Sequence, residues 1–248
     1  MNIEWLLAQY PSTQSGFADI GIGYWLLLGA MALVSAIISG TLRSRFSKYS
    51  QMPIPYTGAQ IAEAMLRQNG ITDVKVMSVP GKLTDHYDPR NKTVNLSEQV
   101  FSHNSVAAAA VAAHECGHAV QHQQAYAWLT LRSKLVPVVQ LSSQLMNILM
   151  WMMIFGMFAF QSQAPIFIYI FLGAMGVTTL FSVITLPVEF DASRRALAWL
   201  DRSGSVRGME HDKAKDALFW AAMTYVAAAV AAIAQLAYWA MMLLGRRD

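Results

Sequence analysis

The sequence predicts a mainly α-helical integral membrane protein with about four transmembrane helices and a small α/β region. Three observations carry this. Of 248 residues, 55% are apolar and only 13% charged, about half the charge of an ordinary soluble domain. Four segments stay apolar for the roughly 20 residues that a helix needs to cross a bilayer. Between the first two lies a charged, turn-rich stretch in which helix and strand patterns alternate.

The first apolar segment, residues 20–40, has no Lys or Arg before it and no A-x-A-like site after it. It reads as an anchor with a translocated N-terminus, not as a cleavable signal peptide. With the tail it makes a first unit, 1–41. Residues 42–134 form the α/β unit. A helix is expected over 59–68, where Ile61, Ala64, Met65 and Leu66 offer an apolar face and Asn69-Gly70 a stop. A strand over 74–79 and a Pro80-Gly81 turn follow, then a loop over 85–91, rich in turn formers. The alternation in 92–96 predicts a second strand. Asn104 or Ser105 can cap a helix that runs through an alanine-rich stretch to at least Gln121. The second and third apolar segments, 135–160 and 165–187, make one unit. A polar stretch, 188–216, and a fourth apolar segment with a short tail, 217–248, complete the chain.

Basic residues set the expected orientation. The N-terminal tail and the link 161–164 have none, whereas 41–134 and 188–216 hold all but two of them. Both polar stretches are therefore expected on the cytoplasmic side. Arg246 and Arg247 disagree with a four-span count, unless the fourth segment is a hairpin or lies partly outside the bilayer. A net charge of +3 without a basic, aromatic-laced stripe argues against nucleic acid. The single cysteine, Cys116, excludes an intrachain disulfide.

Within the expected helix lies His114-Glu115-Cys116-Gly117-His118, an H-E-x-x-H pattern. Residues four apart share a helix face, about 6 Å apart along the axis, so both imidazoles can converge on one zinc at roughly 2.0–2.1 Å. Glu115 is offset enough to stay out of the ligand set and act as general base on the metal's water. Gly117 is unfavourable inside a helix; a residue that thin either lets a neighbouring element approach the metal or serves packing alone. A catalytic zinc needs a third protein ligand. His122 lies about 12 Å from His114 along a helix axis, and Gln121 and Gln124 stand where the extended H-E-x-x-H-x-x-G-x-x-H pattern needs Gly and His. Glu189, just past the third apolar segment, is the better candidate, because the orientation returns it to the side of the His helix. The competing reading makes Glu189 an interfacial carboxylate paired with Arg194 or Arg195.

The stretches Leu83-Thr84-Asp85-His86-Tyr87-Asp88-Pro89-Arg90-Asn91, Val111-Ala112-Ala113-His114-Glu115-Cys116-Gly117-His118-Ala119-Val120-Gln121 and Leu186-Pro187-Val188-Glu189-Phe190-Asp191-Ala192-Ser193 together resemble the YugP-like family of bacterial membrane zinc metallopeptidases. More distantly, the chain is similar to HtpX-type and CAAX prenyl proteases, membrane gluzincins with H-E-x-x-H on one helix and a glutamate ligand on a later one. The resemblance implies a zincin-like (gluzincin) catalytic region. In those relatives an aspartate four residues after the glutamate orients a zinc histidine. Here that position is Ser193, and Asp191 lies two residues on, so either Ser193 or another residue must do that work.

The expected function is hydrolysis of peptide bonds in a protein or peptide substrate, at one Zn2+ per chain held by His114, His118 and Glu189, with Glu115 as base. The strand over 92–96 is expected to offer an edge to an extended substrate, and His86 and Tyr87 are candidates for stabilising the oxyanion or leaving group. Two alternatives stand: an intramembrane-cleaving zinc protease, and a zinc-binding membrane scaffold without turnover.

Overall fold

The computed structural model describes residues 21–156 and 164–244. The tail before residue 21, most of the 161–164 link, and Arg246 and Arg247 lie outside the described residues. Among the described residues, four helices are long and apolar enough to cross a membrane: α1 (Ile22–Tyr49), then, after the α/β unit, α5 (Ala127–Gly156), α6 (Ala164–Ser203) and α7 (Met209–Leu244). Large apolar side chains along them face outward, among them Trp25, Leu33, Leu141, Trp151, Ile166 and Ile233. Lipid is the solvent that such a surface requires. The fourth apolar segment is one continuous helix of 36 residues, not a hairpin.

Each of these helices runs on past its apolar stretch. After Leu186, the polar sequence up to Ser203 holds helix formers and no glycine, so α6 continues for 40 residues until Gly204, at φ 68°, ends it in the left-handed region. Pro187 sits inside α6 without an N–H and leaves the Val183 carbonyl lacking its intrahelical donor. The extensions of α1, α6 and α7 then pack with the α/β unit at one end of the membrane bundle. Tyr49 Oη donates to Asp216 Oδ2 at 2.6 Å, and Trp199 Nε1 to Gln68 Oε1 at 2.9 Å. The two polar stretches thus share one side.

The α/β unit contains α2 (Gly58–Gln68), β1 (Lys75–Val79), β2 (His86–Asp88), β3 (Thr93–Ser97), α3 (Glu98–Ser102) and α4 (Val106–Gln123). A capping box between Thr57 and Gln60 starts α2, and Ser105 Oγ accepts from Ala108 N to start α4. The sheet order is β1-β3-β2, with β1 parallel and β2 antiparallel to β3. Two expectations are corrected here. The loop over 85–91 contains a strand, because His86, Tyr87 and Asp88 pair with Asn95, Val94 and Thr93. The strand expected over 92–96 is therefore interior, with Val94 and Leu96 fully buried, and offers no free edge.

Helix α4 lies at the centre of the unit. Ala107 to Ala110, Ala112 and Ala113 are all buried to within 2%. Methyl-sized side chains let α2, α6 and α7 approach this helix from several directions, which larger residues would prevent. Ile61, Met65, Val100, Val106, Trp199 and Leu218 fill the spaces around it.

Candidate metal centre

Four residues apart on α4, His114 and His118 face the same way, with ring centroids 4.8 Å apart and planes at 83°. Glu189, on α6, is 2% exposed and points its Oε2 at both rings, 3.3 Å from His114 Nε2 and 3.7 Å from His118 Nε2. One ligand atom from each residue lies within 4.8 Å of the others. Gly117 permits this approach. A Cβ there would stand 2.6 Å from the Ala192 carbonyl oxygen, so the glycine brings the α6 backbone against the His helix and sets Glu189 and Ser193 beside the rings.

The far side of each imidazole is tied down. Ser193 Oγ lies 3.1 Å from His114 Nδ1. His118 Nδ1 lies 3.0 Å from Gln121 Oε1, and the fully buried Gln121 donates from Nε2 to the Val188 carbonyl at 2.8 Å and to Asp191 Oδ2 at 2.9 Å. With its NH2 committed to two acceptors, Gln121 can only accept from His118. His118 therefore carries a proton on Nδ1, and in its neutral form the ring has its lone pair on Nε2, the nitrogen that faces Glu189. Asp191 is held in turn by Arg194 and Arg195.

A cation fits this arrangement. Among the described residues Glu189 Oε2 is buried without a hydrogen-bond partner, and it faces the Nε2 atoms of both imidazoles, which in their neutral forms can each offer a lone pair to the same point. Two imidazoles and one carboxylate form a His2Glu donor set of the kind that would hold zinc. Glu189 Oε1 takes a separate partner, Arg132 Nη1 of α5 at 3.2 Å. Arg194 and Arg195 are engaged at Asp191, so the interfacial pairing considered for Glu189 is not formed. Tyr225, on α7, lies within electrostatic range of Glu189, Glu115 and Arg132. Glu115 is 9% exposed and acts electrostatically on His118.

The expected residues divide. His114, Glu115, His118, Glu189, Asp191 and Ser193 come together. His86 and Tyr87 bond elsewhere: His86 to the Thr84 carbonyl and to Asn95 Nδ2, and Tyr87 Oη to His122 Nδ1 at 2.8 Å. Burial, aided by the Asp73 and Asp88 carboxylates, pushes the Tyr87 phenol up to about 12. Cys116 turns away and donates to the Ala62 carbonyl at 3.6 Å; burial raises its thiol well above the usual range, so it packs as a neutral group. Sequence reasoning missed Gln121, Arg132 and Tyr225. The signals were present: Gln121 follows His118 by three, on the same helix face, and polar residues within or at the mouth of apolar spans mark functional sites.

A family model described as "Putative neutral zinc metallopeptidase" matches residues 24–244. The chain is 41% identical over 209 residues to "Putative membrane protease YugP" of Bacillus subtilis (strain 168), across 84% of this chain and 90% of that relative. No solved structure matches.

Proposed function

This membrane protein belongs to the family described as "Putative neutral zinc metallopeptidase", and from that premise we propose that it hydrolyses peptide bonds at a gluzincin-type site with His114, His118 and Glu189 as ligands and Glu115 as general base. The observation that supports it most is the convergence of three acceptor atoms, one of them a buried carboxylate oxygen with no donor, beside a buried glutamate.

A zinc held there supplies Lewis acidity, lowering the pKa of a water towards 7 and polarising the scissile carbonyl. The chain's own groups do the rest. Glu115, one residue after His114, takes the proton of the attacking water and returns it to the leaving amine. Gln121 and Ser193 hold the two imidazoles in orientation, and Asp191 holds Gln121. Arg132 keeps Glu189 Oε1 occupied, so that Oε2 remains aimed at the histidines. The Tyr225 hydroxyl, within electrostatic range of Glu189 and Glu115, is our candidate donor to the negative charge that develops on the carbonyl oxygen, in place of His86 and Tyr87.

Substrate in extended form adds to the free edge of β2, since β3 is interior. The site faces the cytoplasm, on the charge distribution of the polar stretches. An intramembrane-cleaving reading is disfavoured because the His helix, 18 residues long, is not among the four helices suited to span a bilayer. A scaffold without turnover leaves Glu115, buried beside the ligands, without a use.

The test compares zinc content of detergent-purified wild type with His114→Ala, His118→Ala and Glu189→Ala, and follows cleavage of unfolded casein by wild type and Glu115→Gln. The reading requires one zinc per chain, lost or weakened in all three ligand variants. Glu115→Gln keeps the zinc and loses cleavage; full activity in that variant would remove Glu115 as the base.

A further inference from the structure

A cleft with a charged rim lies where α1 leaves its apolar stretch. This cleft of about 700 Å3 is walled by the last turns of α1, the loop ahead of β2 and the approach to α4. Arg43, Lys82 and His103 line it, and no aspartate or glutamate does. The carboxylate of Asp85 is taken up by the backbone and hydroxyl of Ser97. Neither Arg43 nor Lys82 belongs to any ion pair among the described residues, where the cationic partners are Arg45, Lys92, Arg132, Arg194, Arg195 and the two site histidines. Two cations outside any ion pair that line one partly enclosed space attract an anion.

The cleft's apolar wall says which anion. Leu42 and Phe46 line it, and with Val34 and Ile38 they form a stripe at four-residue spacing along α1. That stripe runs from the cleft into the apolar part of the helix, where Leu33, Val34 and Ile37 are exposed. Arg43 is the second charged-or-polar step after the apolar run ends at Gly40, which puts the mouth of the cleft at headgroup depth. Lys82 is presented by a tight turn between Gly81 (φ 106°) and Leu83 (φ 58°). Leu83 is 63% exposed beside it. We infer that this cleft seats the headgroup of one anionic phospholipid, its phosphate between Arg43 and Lys82 and an acyl chain along the α1 stripe. An acidic peptide or free phosphate would use the cations but not the stripe.

Native mass spectrometry of the delipidated full chain, titrated with phosphatidylglycerol or with phosphatidylcholine of the same chains, tests this. The expected result is one phosphatidylglycerol retained per chain, with a preference over phosphatidylcholine of roughly tenfold. The preference should vanish in Arg43→Gln/Lys82→Gln, and persist in the charge-keeping Arg43→Lys/Lys82→Arg, which guards against misfolding. Equal retention of both lipids, or an unchanged preference in the Gln variant, would overturn the assignment. Displacement of the lipid by millimolar inorganic phosphate or by a poly-glutamate peptide would overturn it in favour of that ligand.

Discussion

The side chain of Gln121 bridges His118 to Asp191, accepting from one at 3.0 Å and donating to the other at 2.9 Å. In other terms, an amide supplies the orienting oxygen and a carboxylate one residue further away fixes the amide. Gln121→Leu keeps the volume but leaves His118 Nδ1, the Val188 carbonyl and Asp191 without that partner. Zinc affinity should fall by about 10- to 100-fold, measured by competition with a fluorescent chelator. Unchanged affinity would show that the ring does not depend on the bridge.

Gly117→Ala pits two effects of opposite sign. Helix propensity alone would raise stability by about 1 kcal/mol. Against it, the new methyl stands 2.6 Å from the Ala192 carbonyl oxygen, and forcing packed elements apart costs roughly 1–3 kcal/mol. Thermal unfolding in detergent should show a lower Tm, together with weaker zinc binding as Glu189 withdraws. A higher Tm would mean that α6 yields without penalty.

Arg132 and Tyr225 should separate cleanly. Tyr225→Phe is expected to keep zinc content while lowering kcat by about 100-fold or more, the cost of removing a donor to the oxyanion. Arg132→Gln frees Glu189 Oε1 and should weaken zinc binding, with Arg132→Lys restoring part of it. A Tyr225→Phe enzyme with wild-type kcat would exclude the phenol from catalysis.

The Tyr87 phenol gives a pH prediction. Its folded value, about 12, lies above the ordinary 10, so the folded state holds the proton more tightly than the unfolded one. Its contribution to stability is therefore complete below pH 10 and is lost as pH rises through about 12. An ultraviolet difference titration of wild type against Tyr87→Phe should show no ionisation of this residue below pH 11.

Much of this was legible in the sequence because the signals were local. Apolar length gave the four long helices, and the spacing of His114 and His118 gave their common face. Asn69-Gly70 marked the end of α2 to within a residue. The charge asymmetry put the two polar stretches on one side, where Gln121 meets Val188 and Asp191. What escaped depends on how elements meet. Strand β2 is three residues long, too short for periodicity to announce, and its pairing with β3 is what moves the free edge. Asp191, two residues after Glu189, reads from spacing as pointing away, yet it reaches the site through Gln121. Arg132 and Tyr225 gain a role only because α5 and α7 pack around Glu189.

The candidate ligands are divided between α4 and α6, and the whole α5 stretch comes between them in the chain. During synthesis, a nascent polypeptide carrying both histidines and Glu115 still lacks Glu189 until α5 and most of α6 have been made. Neither half holds three donors alone, and a two-histidine helix is a weak trap for metal. The order of the sequence therefore delays assembly of the candidate metal centre until α5 and most of α6 have been made. A product truncated before Glu189 lacks one of the three candidate ligands.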